Sequence, residues 1–170
     1  MLFRSDAEEI ERYITAGEDA DILRTQLRAR GLVAFVADGS VLPRRSGIDD
    51  RPLAGAVPFL SPASLRVEFD LPNAGRVSGM GVREGVTLIV GGGFHGKTTL
   101  LRALERGIYN HRPDDGRQRV VCEASAVKIR AEDGRSIAGV DISPFINELP
   151  MGRDTTCFRS EEHTSELQSP

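Results

Sequence analysis

The sequence predicts a mixed α/β fold, and three stretches carry that prediction. Residues 86–100 read as a short apolar strand, a glycine-rich turn and the start of a helix. Leu65, Val67, Phe69 and Leu71 alternate with Arg66, Glu68 and Asp70, the period-2 pattern of a half-buried strand. Near the N-terminus the apolar residues recur at helical spacing instead, at Ile10 and Tyr13-Ile14, then at Ile22-Leu23 and Leu27.

Taken in order, residues 6–16 and 18–30 read as two helices, with Gly31 as the stop after the second. Residues 32–37, Leu-Val-Ala-Phe-Val-Ala, form a buried-strand candidate closed by an Asp38-Gly39 turn. Residues 42–62 change character: Pro43, Pro52, Pro58 and Pro62 make them an ordered loop. In that loop Arg44 and Arg45 stand near Asp49, Asp50 and Arg51. Such a group either forms local ion pairs or offers arginines to a phosphate. The alternating strand at 64–71 turns through Leu71-Pro-Asn-Ala-Gly75, and residues 76–80 pair back on it. Phe69 reads as a packed core residue, with stacking on an adenine ring as the alternative.

After the glycine-rich turn, Leu100, Leu101, Leu104 and Ile108 make an apolar helical stripe, which Pro113 ends at the latest. Residues 119–122 and 126–130 read as strands. Glu132-Asp133-Gly134 reads as a turn, and residues 136–140 return from it.

Composition narrows the class. A chain of 170 residues suits one domain, and 39% hydrophobic with 28% charged residues is the balance of a soluble globular one. A net charge of −3 gives no broad electrostatic reason to expect nucleic acid or an anionic membrane as partner. Cys122 and Cys157 lack C-x-x-C spacing, and Cys122 follows two valines as a buried strand thiol would. With no disulfide framework, no long apolar run and no signal-peptide pattern, the expectation is a cytoplasmic protein with no membrane association.

The chemistry lies at 91–99, Gly91-Gly92-Gly93-Phe94-His95-Gly96-Lys97-Thr98-Thr99. Gly91, Gly96, Lys97 and Thr98 fill G-x-x-x-x-G-K-[ST], the P-loop or Walker A pattern. Glycines let the backbone wrap a phosphate with its N–H groups turned inward, and the following helix adds uncapped amides and its positive dipole end. Lys97 is placed to reach the β- and γ-phosphates, Thr98 to bind Mg²⁺, and Thr99 to donate near the α-phosphate. The expected ligand is therefore ATP or another nucleoside triphosphate with Mg²⁺. Hydrolysis needs more than this loop, namely an acid ending a second buried strand. Asp141, after Ile137-Ala-Gly-Val140, is a candidate, but its apolar run is short and broken by Gly139. Pro144 stands where the glycine of a GTPase D-x-x-G would fall, and a guanine-reading N-K-x-D is absent.

Four blocks resemble the predicted ATPases of the ABC class, a soluble bacterial P-loop family distinct from the membrane transporters: residues 31–47, 86–106, 127–135 and 139–147. The resemblance covers residues 6–158. It implies a P-loop NTPase core, incomplete here, joined to an antiparallel β portion and an N-terminal helical segment. It also implies that the signature-like segment and Walker B follow residue 158, and that a homodimer completes the site. Phe94-His95 departs from the small residues usual in such loops, and no glutamine stands near 141–145 where a Q-loop would fall.

Both ends look foreign. Residues 1–5, Met-Leu-Phe-Arg-Ser, and the tail Arg-Ser-Glu-Glu-His-Thr-Ser-Glu-Leu-Gln-Ser from 159 resemble in-frame translations of sequencing adapters. The expected organisation is adapter-derived sequence at 1–5, N-terminal helices and strand at 6–41, and the proline-rich loop at 42–62. The Walker A half of an ATPase domain then occupies 63–158, with an adapter-derived tail at 159–170. Two functional expectations stand side by side: a fragment of an ATPase that binds ATP and hydrolyses it negligibly, or a non-catalytic nucleotide-gated module that uses Arg44 and Arg45 to bind RNA or a protein.

Overall fold

A computed structural model describes residues 7–92, 95–129, 138–141, 143–144 and 155–159. The head before Ala7, Gly93-Phe94, the Glu132-Asp133-Gly134 turn and the tail beyond Arg159 lie outside the described residues. The chain divides into two compact units, 1–127 and 128–170. The fold is mixed α/β, with an antiparallel sheet and an N-terminal helix.

In the first unit, helix α1 (Ala7–Ala29) leads into β1 (Leu32–Ala37). A hairpin follows, β2 (Arg66–Leu71) and β3 (Gly75–Arg83), then helix α2 (Lys97–Arg106) and β4 (Val120–Cys122). The four strands form one antiparallel sheet in the order β2-β3-β1-β4. Alternation along β1 sends its side chains into two separate cores. Phe35 and Ala37 join Ala20, Leu23 and Leu27 of α1, with Phe69, Leu71 and Val121. A register irregularity between Leu32 and Ala34 brings Leu32 onto the same face. Val36 faces the other way, toward Leu42, Met80, Val120 and Ala103 of α2. The sheet is thus covered by α1 on one side and α2 on the other, which fixes the start of α2 relative to the sheet.

Several expectations are corrected. The two N-terminal helices are one, because Gly17 keeps helical backbone and lowers stability without ending the element. The stop comes at Gly31, whose φ of 63° closes the C-terminus with its N–H on the Arg28 carbonyl. Only the second half of α1 packs on the sheet, so Ile10, Tyr13 and Ile14 are exposed. The strand expected at 64–71 opens with a 3₁₀ turn (Ala63–Leu65), which leaves Leu65 outside the alternation and exposed. Its partner strand runs on to Arg83. Phe69 is fully buried, edge-on to Phe35 at 4.9 Å between centroids, with the Arg30 guanidinium 4.1 Å above its ring. It is a core residue and has no face left for an adenine.

Residues 126–129 form no strand, and Val127 and Ile129 are exposed. In the second unit, β5 (Ala138–Val140) pairs antiparallel with β6 (Phe158–Arg159), through Ala138 with Arg159 and Val140 with Phe158. Among the described residues, the return strand expected at 136–140 is thus seen over Ala138–Val140, with its partner downstream at Phe158–Arg159.

Candidate phosphate-binding loop

The glycine-rich turn leads straight into α2. Gly96 sits at the helix N-cap with φ 80°, left-handed backbone that a β-carbon would strain. Gly91 has φ 151°, also a glycine conformation. A β-carbon at Gly92 would stand 3.2 Å from Cε1 of His95, so the turn closes tightly because the side chain is missing. No side chain caps α2, and its first intrahelical bond runs from the Leu100 N–H to the Gly96 carbonyl at 2.9 Å. The amides of Lys97, Thr98 and Thr99 therefore precede the helical ladder, and the positive end of the helix is open to an anion.

Lys97 folds back on the same turn: its Nζ donates to the Gly91 carbonyl at 2.6 Å and to the Gly92 carbonyl. The ammonium is held at the loop by acceptors that a phosphate oxygen can replace. Thr98 is exposed in the first turn, one residue along from Lys97. A glycine-rich turn, three leading amides, an ammonium and a hydroxyl fit a Mg²⁺-bound phosphate chain, in which Thr98 would supply the metal ligand and the cation would offset phosphate charge.

Helix α2 is seated through Leu100, Ala103 and Leu104 against Val36 and Val120. Leu101, expected on the buried stripe, is exposed, and Ile108 lies beyond the helix end at Arg106. The helix closes through Gly107, whose carbonyl accepts from the Cys122 N–H at 2.9 Å and also from Arg24. Cys122 is buried and its Sγ donates to the Leu104 carbonyl; burial raises its pKa to about 11.

The strand expected before the loop is the chief correction at the site. Residues 86–90 make no ladder among the described residues, and Val86, Leu88 and Val90 are 89%, 80% and 82% exposed. Apolar alternation supplies β-propensity, but a strand exists only where a neighbour accepts its hydrogen bonds.

Arg44 is corrected as well. It donates from Nη1 to the Asp115 carbonyl and from Nη2 to Asp115 Oδ2, both at 2.7 Å, and its side chain is 8% exposed. Asp115 also accepts from His111 Nδ1 at 2.9 Å. Arg44 is thus unavailable to RNA, whereas Arg45 is exposed. Arg51 pairs with Asp49, the local ion pairing that the loop's composition suggested. Asp141 is exposed in the second unit, where its Oδ1 accepts from the Ser143 N–H at 2.9 Å.

Sequence reasoning missed the wall beside the loop. Leu42, Pro43, Val57 and Phe59 of the proline-rich segment line a cleft of about 310 Å³ whose other side is Ile89, Val90, His95, Gly96, Lys97, Thr99 and Leu100. The wall is pinned. Arg117 is buried and donates from Nε to the Leu42 carbonyl at 3.1 Å, and burial, helped by the charge of Arg44, lowers its pKa to about 10. Phe59 exchanges two backbone hydrogen bonds, its N–H to Ser40 and its carbonyl from Gly39, each 2.8 Å. The available signal was an apolar Val57-Pro-Phe-Leu60 run inside a loop.

A family model of the ABC_ATPase P-loop domain matches residues 6–166. The chain belongs to this ABC-class ATPase family. An uncharacterized protein of Methanocaldococcus jannaschii is 34% identical over 139 residues, 76% of this chain and 31% of that protein. The chain thus spans about a third of the length of that relative. Among the described residues, no helix of this P-loop protein is long and apolar enough to cross a membrane.

Proposed function

We propose that the chain binds ATP with Mg²⁺ through Gly91, Gly92, Gly93, Phe94, His95, Gly96, Lys97, Thr98 and Thr99, as the Walker A part of an ABC-class ATPase. The observation that carries this reading is the left-handed Gly96 turn that presents three uncapped α2 amides beside the Lys97 ammonium. Lys97 offsets charge on the β- and γ-phosphates and Thr98 holds the metal. Water activation requires an acid near the γ-phosphate, and we assign it to a Walker B segment of the longer protein, with a second copy completing the site. On its own this chain then binds nucleotide with negligible turnover. Turnover by the chain that disappears in Asp141→Asn would instead give Asp141 that role. Burial of Arg44 against Asp115 removes the support for an RNA-contacting pair at Arg44 and Arg45.

The test is equilibrium titration of the chain with Mg-ATP, wild type against Lys97→Ala. Loss of the ammonium should weaken binding by about tenfold or more, the effect of removing a charge-assisted contact. Equal binding by the two proteins contradicts the assignment.

A further inference from the structure

A second cavity, of about 360 Å³, opens at the C-terminal end of α2, between the proline-rich loop and the segment that follows the helix. Its lining is dominated by charge: Arg51, Arg106 and Arg112 with Asp50 and Asp115. The ion pairs leave positive charge over. Asp49 is held by Arg51 and Asp115 by Arg44, each at 2.7 Å. Asp50 is shared loosely, 3.4 Å from Arg106 Nη1 and 3.7 Å from Arg44 Nε. Arg112 is exposed, and its side chain has no carboxylate partner among the described residues.

Hydrogen-bonding capacity is left over as well. Arg44 Nε and His111 Nε2 are buried and lack a hydrogen-bond partner among the described residues, and both belong to this cluster. His111 reaches Asp115 through its other nitrogen, at 2.9 Å. Unsatisfied buried polar atoms are uncommon in native folds, and two in one cluster mark a network that the chain does not close by itself.

We propose that this cavity binds the phosphate group of a small phosphorylated molecule through Arg106 and Arg112, at a site separate from the glycine-rich turn. The inference is independent of the nucleotide reading above. Guanidinium forks match phosphate oxygens two at a time, and a tetrahedral dianion gains more from two of them than a singly charged carboxylate does. The carbonyl end of a helix opposes an anion. Here Arg106 stands in the last turn, and the Gly107 carbonyl is already engaged by Cys122 and Arg24. Binding also rearranges the pairs. An anion on Arg106 releases Asp50, which is then free to close on Arg44 Nε and satisfy that buried donor. The volume exceeds what a bare phosphate fills, and the remainder, beside Tyr109, has room for a small organic part.

The experiment titrates the full 170-residue chain carrying Lys97→Ala, which weakens the glycine-rich turn as a competing anion site. The probes are inorganic phosphate, phenyl phosphate and acetate at constant ionic strength. The readout is the backbone amide shifts of Tyr109, Asn110, His111 and Arg112. Phosphate should give saturable shifts there, phenyl phosphate should bind at least as tightly, and acetate at least tenfold more weakly. Arg112→Ala removes an exposed, unpaired side chain, so the fold stays intact, and it should weaken phosphate about tenfold. Asp50→Asn removes the carboxylate that competes for Arg106 and should tighten phosphate several-fold, a gain that a purely structural ion pair would not give. Phosphate binding unchanged in both variants, or no saturable shift at these amides, overturns the proposal. Acetate equal to phosphate overturns the phosphate class, and phenyl phosphate that fails where phosphate binds overturns the monoester. Shifts confined to Gly96, Lys97 and Thr98 in the wild-type chain would leave the phosphate loop standing and remove this second site.

Discussion

Arg44 and Asp115, 71 residues apart in sequence, meet through two hydrogen bonds of 2.7 Å and bury each other's charge. The contact ties the proline-rich loop to the turn after α2, so the wall beside the phosphate loop depends on it. Breaking one half of a buried pair strands the other charge in a poorly solvated place. Asp115→Ala should therefore lower the unfolding free energy by about 3 kcal/mol in urea. Replacing both partners with apolar residues of similar volume should lose less than that single substitution. A double replacement costing as much as the two singles added would refute the coupling.

Stability should also fall in acid. The Asp115 carboxyl titrates below its ordinary range: burial pushes it up, but the His111 hydrogen bond and the Arg44 charge outweigh burial. Asp38 is lowered in the same way, with burial opposed by hydrogen bonds from Ser61 and Ser78 and the charge of Arg66. A depressed native pKa gives stability that is complete above the unfolded value, about 3.9. It is lost as pH drops through the native one. Urea midpoints should hold steady from neutral pH down to about 5 and decline below about 4. Asp38→Asn should make that decline shallower, and an unchanged acid limb would argue against the assignment.

Gly79 is a packing requirement. A β-carbon there would lie 2.4 Å from the Val36 carbonyl oxygen, 2.6 Å from Phe35 Cζ and 2.7 Å from Ala37 Cα. Two of these three atoms are backbone of the adjacent strand and cannot move aside. Gly79→Ala should cost more than the usual 1–3 kcal/mol of overpacking, about 3 or above. Gly81 meets only side-chain ends of Leu32 and Val67, at 3.0–3.2 Å, so Gly81→Ala should be the milder change. Thermal melts of the two variants decide the order.

The two thiols should react unequally. Cys122 is buried and burial raises its pKa to about 11, whereas Cys157 is exposed. Near neutral pH, a maleimide should label Cys157 in the folded chain and reach Cys122 only in urea. Rapid labelling of both without denaturant would contradict the burial of β4.

The parts of the fold legible in the sequence are those written locally. The alternation through Val67, Phe69 and Leu71 gave β2, the Leu32–Ala37 run gave β1, and the glycine, lysine and threonine spacing located the loop before α2. Elements decided by distant neighbours were not legible. Residues 86–90 have a strand's composition but no ladder among the described residues, and Gly17 has a breaker's identity but helical backbone. Arg44 finds its shorter ion pair at distant Asp115, at 2.7 Å, and only a longer one, at 3.7 Å, with its near neighbour Asp50. The apolar wall of Val57 and Phe59 was hidden because only the fold brings that loop beside His95 and Thr99.

The central claim is that the open end of α2 receives a triphosphate. Backbone amide shifts recorded as Mg-ATP is added to the isotopically labelled chain test it most directly. The prediction is saturable shifts at Gly96, Lys97, Thr98 and Thr99, lost in Lys97→Ala. Silent amides there, with shifts gathered instead around the polar cleft of Arg12, Asp19 and Asn73, would contradict it.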